Sequence, residues 1–216
     1  MDRIIANWPG ARDADLIICP GHGVAYQRDM SEQVHYNGEY FDKYIGYEDT
    51  PLANAINAGR IGLVNRYVGA DCPVLDIGIG SGEFIKKRPN TFGYDINPKA
   101  IDWLRENMRL ATSFAPFDGF TFWDVLEHVE NPNDYFRRIH DGAYLFTSLP
   151  IFPDLTQIRK SKHYRPGEHL YYFSDDGFVN WMGLHNFVLL ERDDFETRAG
   201  RESIVSYAFR KAPYAA

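Results

Sequence analysis

The chain has 216 residues, 44% of them hydrophobic and 15% aromatic, and its 23 Lys and Arg stand against 30 Asp and Glu for a net charge of −7. A chain of this length and apolar content can bury a core without staples and is not disordered. The acidic balance counts against broad nucleic-acid binding, which depends on neutralising phosphates.

Only two cysteines are present, Cys19 and Cys72. They are too few for a disulfide framework, so a reducing compartment is expected. The first 20 residues lack the basic-then-apolar layout of a secretion signal, and no run approaches 18 apolar residues. The expectation is a soluble, cytoplasmic protein with no membrane partner; the oligomeric state is not legible.

Residues 1–49 read as an N-terminal arm or cap. The stretch 20–49 is polar, rich in tyrosine and without core periodicity. Tyr40 and Tyr44 are candidates for a lid over a cationic ligand, since aromatic faces attract positive charge. From Thr50 onward, residues 50–216 read as one domain. Thr50 and Pro51 make a cap and first turn for a helix reaching about Val68. Strands are predicted at 73–77, 91–96, 119–125 and 143–149. Asn97-Pro98 and Asn131-Pro132 each open a helix, and Ser174 caps one holding Phe178, Trp181 and Met182. Two strands, 187–191 and 203–209, close the chain without a helix between them. Strands alternating with helices imply a doubly wound, mostly parallel α/β sheet of Rossmann-like type, with an antiparallel strand near the C-terminus.

The first strand runs into "VLDIGIGSGEF" (74–84). Gly78, Gly80 and Gly82 let the chain turn sharply and let a ligand touch backbone N–H groups. In an open α/β sheet, ligands lie beyond the carboxyl ends of the strands. Asp95 follows at the end of the second strand, where an acid accepts hydrogen bonds from ribose hydroxyls. A dinucleotide loop reads G-x-G-x-x-G. Here the spacing is G-x-G-x-G followed by Glu83, and Asp76 precedes it. Two carboxylates repel a pyrophosphate and suit an ammonium group, so an amino acid joined to a nucleoside fits better.

"VLDIGIGSGEF" resembles the first motif of class I S-adenosylmethionine-dependent methyltransferases, and "YDIN" (94–97) resembles their acidic second motif. "FDGFTFWDVLEHVENP" (117–132) is similar to the fourth-strand motif of the subgroup containing small-molecule O-methyltransferases, and "RPGEHLYYFS" (165–174) to one of its loops. The four motifs fall in family order across residues 50–210. The resemblance implies a methyltransferase that uses S-adenosyl-L-methionine as cofactor and a small molecule as substrate. It carries the cofactor contacts onto Asp76, Gly78, Gly80, Gly82, Glu83, Asp95 and Ile96, and onto Asp124 and Val125. Glu127 falls toward the substrate, and His128 and His169 are candidate bases for removing an acceptor proton. Tyr40, Arg159 and Arg165 are further candidate substrate contacts. The basic run "RKSKHYR" (159–165) reads either as a solvated loop or as a patch that draws a small anion.

Two departures stand out. Between the helix near Leu110 and the strand at Gly119, where the family carries another strand and an adenine-contacting acid, only "ATSFAPFD" remains. The paired CxxC zinc motifs of many relatives are reduced to Cys19 and His22, and two ligands do not make a structural zinc site; no metal is expected. The alternatives are a methyltransferase acting on nucleic acid or protein, an NAD-dependent dehydrogenase, and an inactive cofactor-binding module.

Overall fold

The computed structural model describes residues 11–12, 16–28, 41 and 48–213. Tyr40 and Tyr44 lie outside these residues. In chain order the strands are β1 (Ala11–Arg12), β2 (Leu16–Cys19), β3 (Val24–Gln27), β4 (Val74–Ile77), β5 (Thr91–Tyr94), β6 (Gly119–Trp123), β7 (Tyr144–Pro150), β8 (Tyr171–Phe173), β9 (Phe187–Asp193) and β10 (Ile204–Lys211). The helices are α1 (Pro51–Val68), α2 (Glu83–Lys87), α3 (Pro98–Glu106), α4 (Asn133–Phe136), α5 (Asp175–Leu184) and α6 (Phe195–Arg198).

The main sheet has six strands in the order β5-β4-β6-β7-β10-β9. The pairs β4–β5, β4–β6 and β6–β7 are parallel, and β10 runs antiparallel to both β7 and β9. Successive side chains of a strand face opposite layers. Val74, Phe146 and Ala208 therefore meet Leu63 and Val64 of α1 on one face, while Leu75, Leu145 and Phe209 meet Phe178, Trp181 and Met182 of α5 on the other. Burial on both faces is what near-continuous apolar strands such as Val74–Ile77 require.

Local chemistry sets the helix starts. The Thr50 hydroxyl accepts from the Ala53 N–H at 3.1 Å, the Asn97 side chain from the Lys99 N–H at 3.0 Å, and Ser174 from the Gly177 N–H at 3.2 Å. The helix predicted after Asn131-Pro132 is a single turn, Asn133–Phe136. The short segment before β6 also has a role. Leu110 forms one parallel bridge with Gly93 at the free edge of β5, through Gly93 N–H to Arg109 and Ala111 N–H to Gly93. A whole edge strand is reduced there to a single bridge.

A second sheet, of order β1-β2-β3-β8, has no counterpart in the sequence-based expectation. Its strands are only two to four residues long, and β8 follows β3 by more than 140 residues, so neither periodicity nor proximity announces it. Leu16, Ala25 and Tyr172 pack with Phe152, Leu155 and Ile158 into its own apolar cluster. Gln27 fastens the sheet to the loop before β8: its N–H donates to Leu170 at 2.8 Å, and its side-chain oxygen accepts from the Gly167 N–H at 2.9 Å. No helix among the described residues is long and apolar enough to cross a membrane.

Candidate active site

The carboxyl ends of β5, β4 and β6 lie side by side, so Asp95, the glycine loop and Asp124 form a row across the sheet top. They wall a cavity of about 650 Å³, within the ~300–1,000 Å³ range of small-molecule sites. Asp76, Gly78, Gly80, Glu83, Asp95, Ile96, Asp124, Val125 and His128 all line it.

The loop's backbone explains two of its glycines. Gly78 has φ +71°, and a Cβ there would stand 2.7 Å from the Val125 side chain. Gly80 has φ +56°, and a Cβ there would meet nothing within 4 Å, so its bare backbone faces open space. Gly82 caps α2 against the Trp103 ring and does not line the cavity. Asp95 closes the loop from the neighbouring strand: one oxygen accepts from the Ile79 N–H and the other from the Asn97 N–H, both at 2.8 Å. Each oxygen keeps a lone pair for a further donor. Burial raises the Asp95 pKa above the ordinary carboxylate value.

Asp76 is 1% exposed and takes a 2.6 Å hydrogen bond from the Thr121 hydroxyl. Desolvation lifts its pKa to about 7, against the opposing pull of that bond and of Arg60. Glu83 accepts from the Asp49 N–H at 3.0 Å and pairs with Lys87 at 3.3 Å, so its charge is partly spent within the protein.

Beyond β6, Asp124 takes a left-handed φ of +57°. Its carboxylate is gripped by Arg60 at 2.8 Å and by Arg201 at 2.9 and 3.0 Å. Both arginines also bind Glu196, which is fully buried. Burial pushes the Asp124 pKa up, but Arg201 and Arg60 outweigh it and hold the carboxylate well below its ordinary range. Arg60 and Arg201 line the cavity, and Arg60 lies over the Trp123 ring at 4.8 Å. Sequence reasoning missed Arg60, Arg201 and Glu196. They sit on α1 and around α6, with Arg60 and Glu196 136 residues apart and no local motif to mark them. It also missed Phe41, a buried neighbour of Tyr40 that reaches the cavity wall.

His128 and His169, 41 positions apart, meet with ring centroids 4.6 Å apart and nearly perpendicular planes. His128 Nδ1 donates to the Glu168 carbonyl at 2.8 Å, since a carbonyl can only accept. Burial lowers the pKa of both rings, that of His169 to about 3, with the His128 ring adding to the effect. Glu127 is 2% exposed, and burial, then the charge of Asp124, raises its pKa well above the ordinary value. Glu127 and His169 lie behind His128 and do not line the cavity.

Arg159 and Arg165 do not line the cavity either. Arg159 bonds the Tyr164 hydroxyl at 3.3 Å, Arg165 pairs with Glu168 at 3.1 Å, and Lys162 pairs with Glu202 at 3.0 Å. The basic run thus lies over the small sheet, with part of its charge neutralised. Cys19 and Cys72 are not joined in a disulfide, and Cys19 Sγ lies 2.9 Å from His22 Nδ1.

An open doubly wound sheet with a glycine loop and a facing acid at its carboxyl edge defines an enzyme that binds a nucleoside-containing cofactor. The family model described as "Methyltransferase domain" matches residues 25–192, and the chain belongs to that family, that of the class I S-adenosylmethionine-dependent methyltransferases. No curated protein sequence matches the chain. Among solved structures, the N-methyltransferase NodS from Bradyrhizobium japonicum WM9, in complex with S-adenosylhomocysteine, is similar at 15% identity with a TM-score of 0.56, over 81% of this chain and 98% of that one. The 1,6-didemethyltoxoflavin-N1-methyltransferase of Burkholderia thailandensis is similar at 14% identity and TM-score 0.57, over 95% and 100%. The magnesium protoporphyrin IX methyltransferase of Synechocystis PCC 6803 is similar at 15% identity and TM-score 0.55, over 82% and 96%. At these identities the likeness is one of fold.

Proposed function

We propose that the protein transfers the sulfonium methyl group of S-adenosylmethionine to an oxygen or nitrogen atom of a small molecule. The observation that carries this reading is the continuous cavity that runs from the Gly78–Gly80 loop and Asp95 to Asp124 and His128. In this reading Asp95 receives the ribose hydroxyls, Gly80 offers bare backbone, and Asp76 and Glu83 face the ammonium group. The reaction is an in-line displacement, so the protein chiefly orients the two reactants and excludes water. His128, neutral at pH 7 and on the cavity wall, is placed to take a proton from a hydroxyl acceptor. Asp124 is fully engaged by two arginines and serves as an anchor for them rather than as a base.

The small-molecule reading is supported by the cavity's size, by the net charge of −7 and by the acceptors of similar folds, such as 1,6-didemethyltoxoflavin. The positive groups on the wall are Arg60, Arg138 and Arg201 rather than the 159–165 run. An anionic acceptor would meet these first. On the same reading residues 50–216 make up the catalytic unit, to which β2 and β3 are joined through β8. Titration calorimetry with S-adenosylhomocysteine is the direct test. A saturable isotherm with it and none with NAD is expected; the reverse would sink the reading. Transfer of labelled methyl from the cofactor to a metabolite pool then separates an active enzyme from an inactive binding module.

A further inference from the structure

Behind His128, the structure holds three metal-competent side chains that the cofactor site does not explain. Glu127, His128 and His169 each present one ligand atom, and these atoms lie within 4.8 Å of one another. Two buried polar atoms of the cluster point to a ligand at this place. Glu127 Oε2 and His169 Nδ1 are both buried without a hydrogen-bond partner among the described residues, although Glu127 is 2% and His169 4% exposed. Native proteins rarely leave two such buried groups unsatisfied without a reason.

We infer that Glu127, His128 and His169 bind one divalent transition-metal cation behind the cavity wall; with the ion bound, His128 Nε2 is a ligand and no longer a base. The ligand set, two imidazoles and one carboxylate without thiolate, suits ions such as cobalt, iron, manganese or zinc. His128 is already oriented for the task. Its Nδ1–H is held by the Glu168 carbonyl, which leaves Nε2 as the ligand nitrogen, and metal-bound imidazoles are commonly fixed in this way. Ligation takes each ring in its neutral form. Backbone bonds steady the cradle: Leu170 N–H donates to the Glu127 carbonyl at 2.7 Å and His169 N–H to Arg165 at 2.8 Å. Bonds of ~2.0–2.2 Å set ligand atoms roughly 3–3.5 Å apart, so the side chains must draw in by about 1 Å on binding.

The test uses the full chain without a histidine tag, stripped by chelator and titrated with Co²⁺ alone. We expect one Co²⁺ per chain, visible bands of nitrogen and oxygen ligation, no thiolate charge-transfer band, and a saturable rise in Tm. Affinity should fall at least tenfold in Glu127→Gln and in His169→Gln, and should be unchanged in Cys19→Ser. Absence of saturable binding overturns the inference, as does a thiolate band or unchanged affinity in both variants. If either variant fails to fold by circular dichroism, the wild-type spectrum, stoichiometry and Tm decide. Calorimetry with S-adenosylhomocysteine on the same sample keeps the two readings apart. An isotherm without cobalt binding removes the metal site alone, and cobalt binding without an isotherm removes the cofactor reading alone.

Discussion

Asp76 holds its proton to about pH 7 because burial outweighs the Thr121 bond and the pull of Arg60. Its folded pKa lies above the unfolded value, so the unfolded chain binds fewer protons between about pH 4 and 7, and this group lowers the stability of the ligand-free protein as pH rises through that window. A cationic ammonium beside it reverses the preference and favours the ionised form. The affinity for S-adenosylhomocysteine should therefore climb from about pH 6 to 8, by up to about tenfold per unit below 7, and level off above. Calorimetry across this range checks it, and Asp76→Asn should flatten the curve. A flat curve in the wild type would remove Asp76 from contact with the cofactor. In the proposed reading Asp95 both clasps the glycine loop and receives the ribose hydroxyls. Asp95→Ala should weaken cofactor binding by about 1.5–3 kcal/mol, and should also lower Tm, because the Ile79 and Asn97 N–H groups lose their acceptor. A variant with lower Tm but wild-type affinity would make Asp95 a loop clasp only.

Glu196 ties three separate elements together: Arg60 from α1, Arg201 from the turn after α6, and through them Asp124 at the end of β6. Two arginines and two acids balance in a partly dry setting, so removing one acid strands positive charge. Glu196→Gln should cost about 3–5 kcal/mol and lower Tm by roughly 6–20 °C. The exposed pair Arg105–Asp102, one turn apart on α3, is the control: Arg105→Ala should change stability by less than about 0.5 kcal/mol. Thermal denaturation of both variants is the check, and equal losses would show that the buried cluster has no special weight. The same contrast explains what was legible in the sequence. α1, α3 and α5 announce themselves through Thr50, Asn97 and Ser174, because capping is chemistry between near neighbours. Strands β4, β6 and β7 are legible because both of their faces are buried. The glycine loop and Asp95 stand out because their spacing is local. The Arg60–Glu196 grip, the second sheet and the meeting of His128 with His169 are long-range events, and nothing in the residues flanking each of them encodes the partner.

At the scale of the whole molecule, the two sheets share one loop. Residues 165–170 are tied to Gln27 of the small sheet on one side and to Glu127 of the main site on the other. β8, which follows directly, pairs with β3 at Tyr26, Ala25 and Val24. The position of His169 beside His128 therefore depends on strands near the start of the described chain. This arrangement sets an order of events during biosynthesis. Val24 and Ala25, fully buried in the finished protein, have β2 on one edge but nothing on the other until Phe173 has been made, which at ~5–20 residues per second takes roughly 7 to 30 s. Through that interval β1–β3, with strands of two to four residues, are too small to be stable alone, and the open edge of β3 is exposed to chaperones and to other chains. Nascent chains stalled before residue 171 should be cut by protease within residues 16–27, and chains stalled well beyond residue 173 should be protected there. Strands β2 and β3, made long before β8, are thus among the last to find their place.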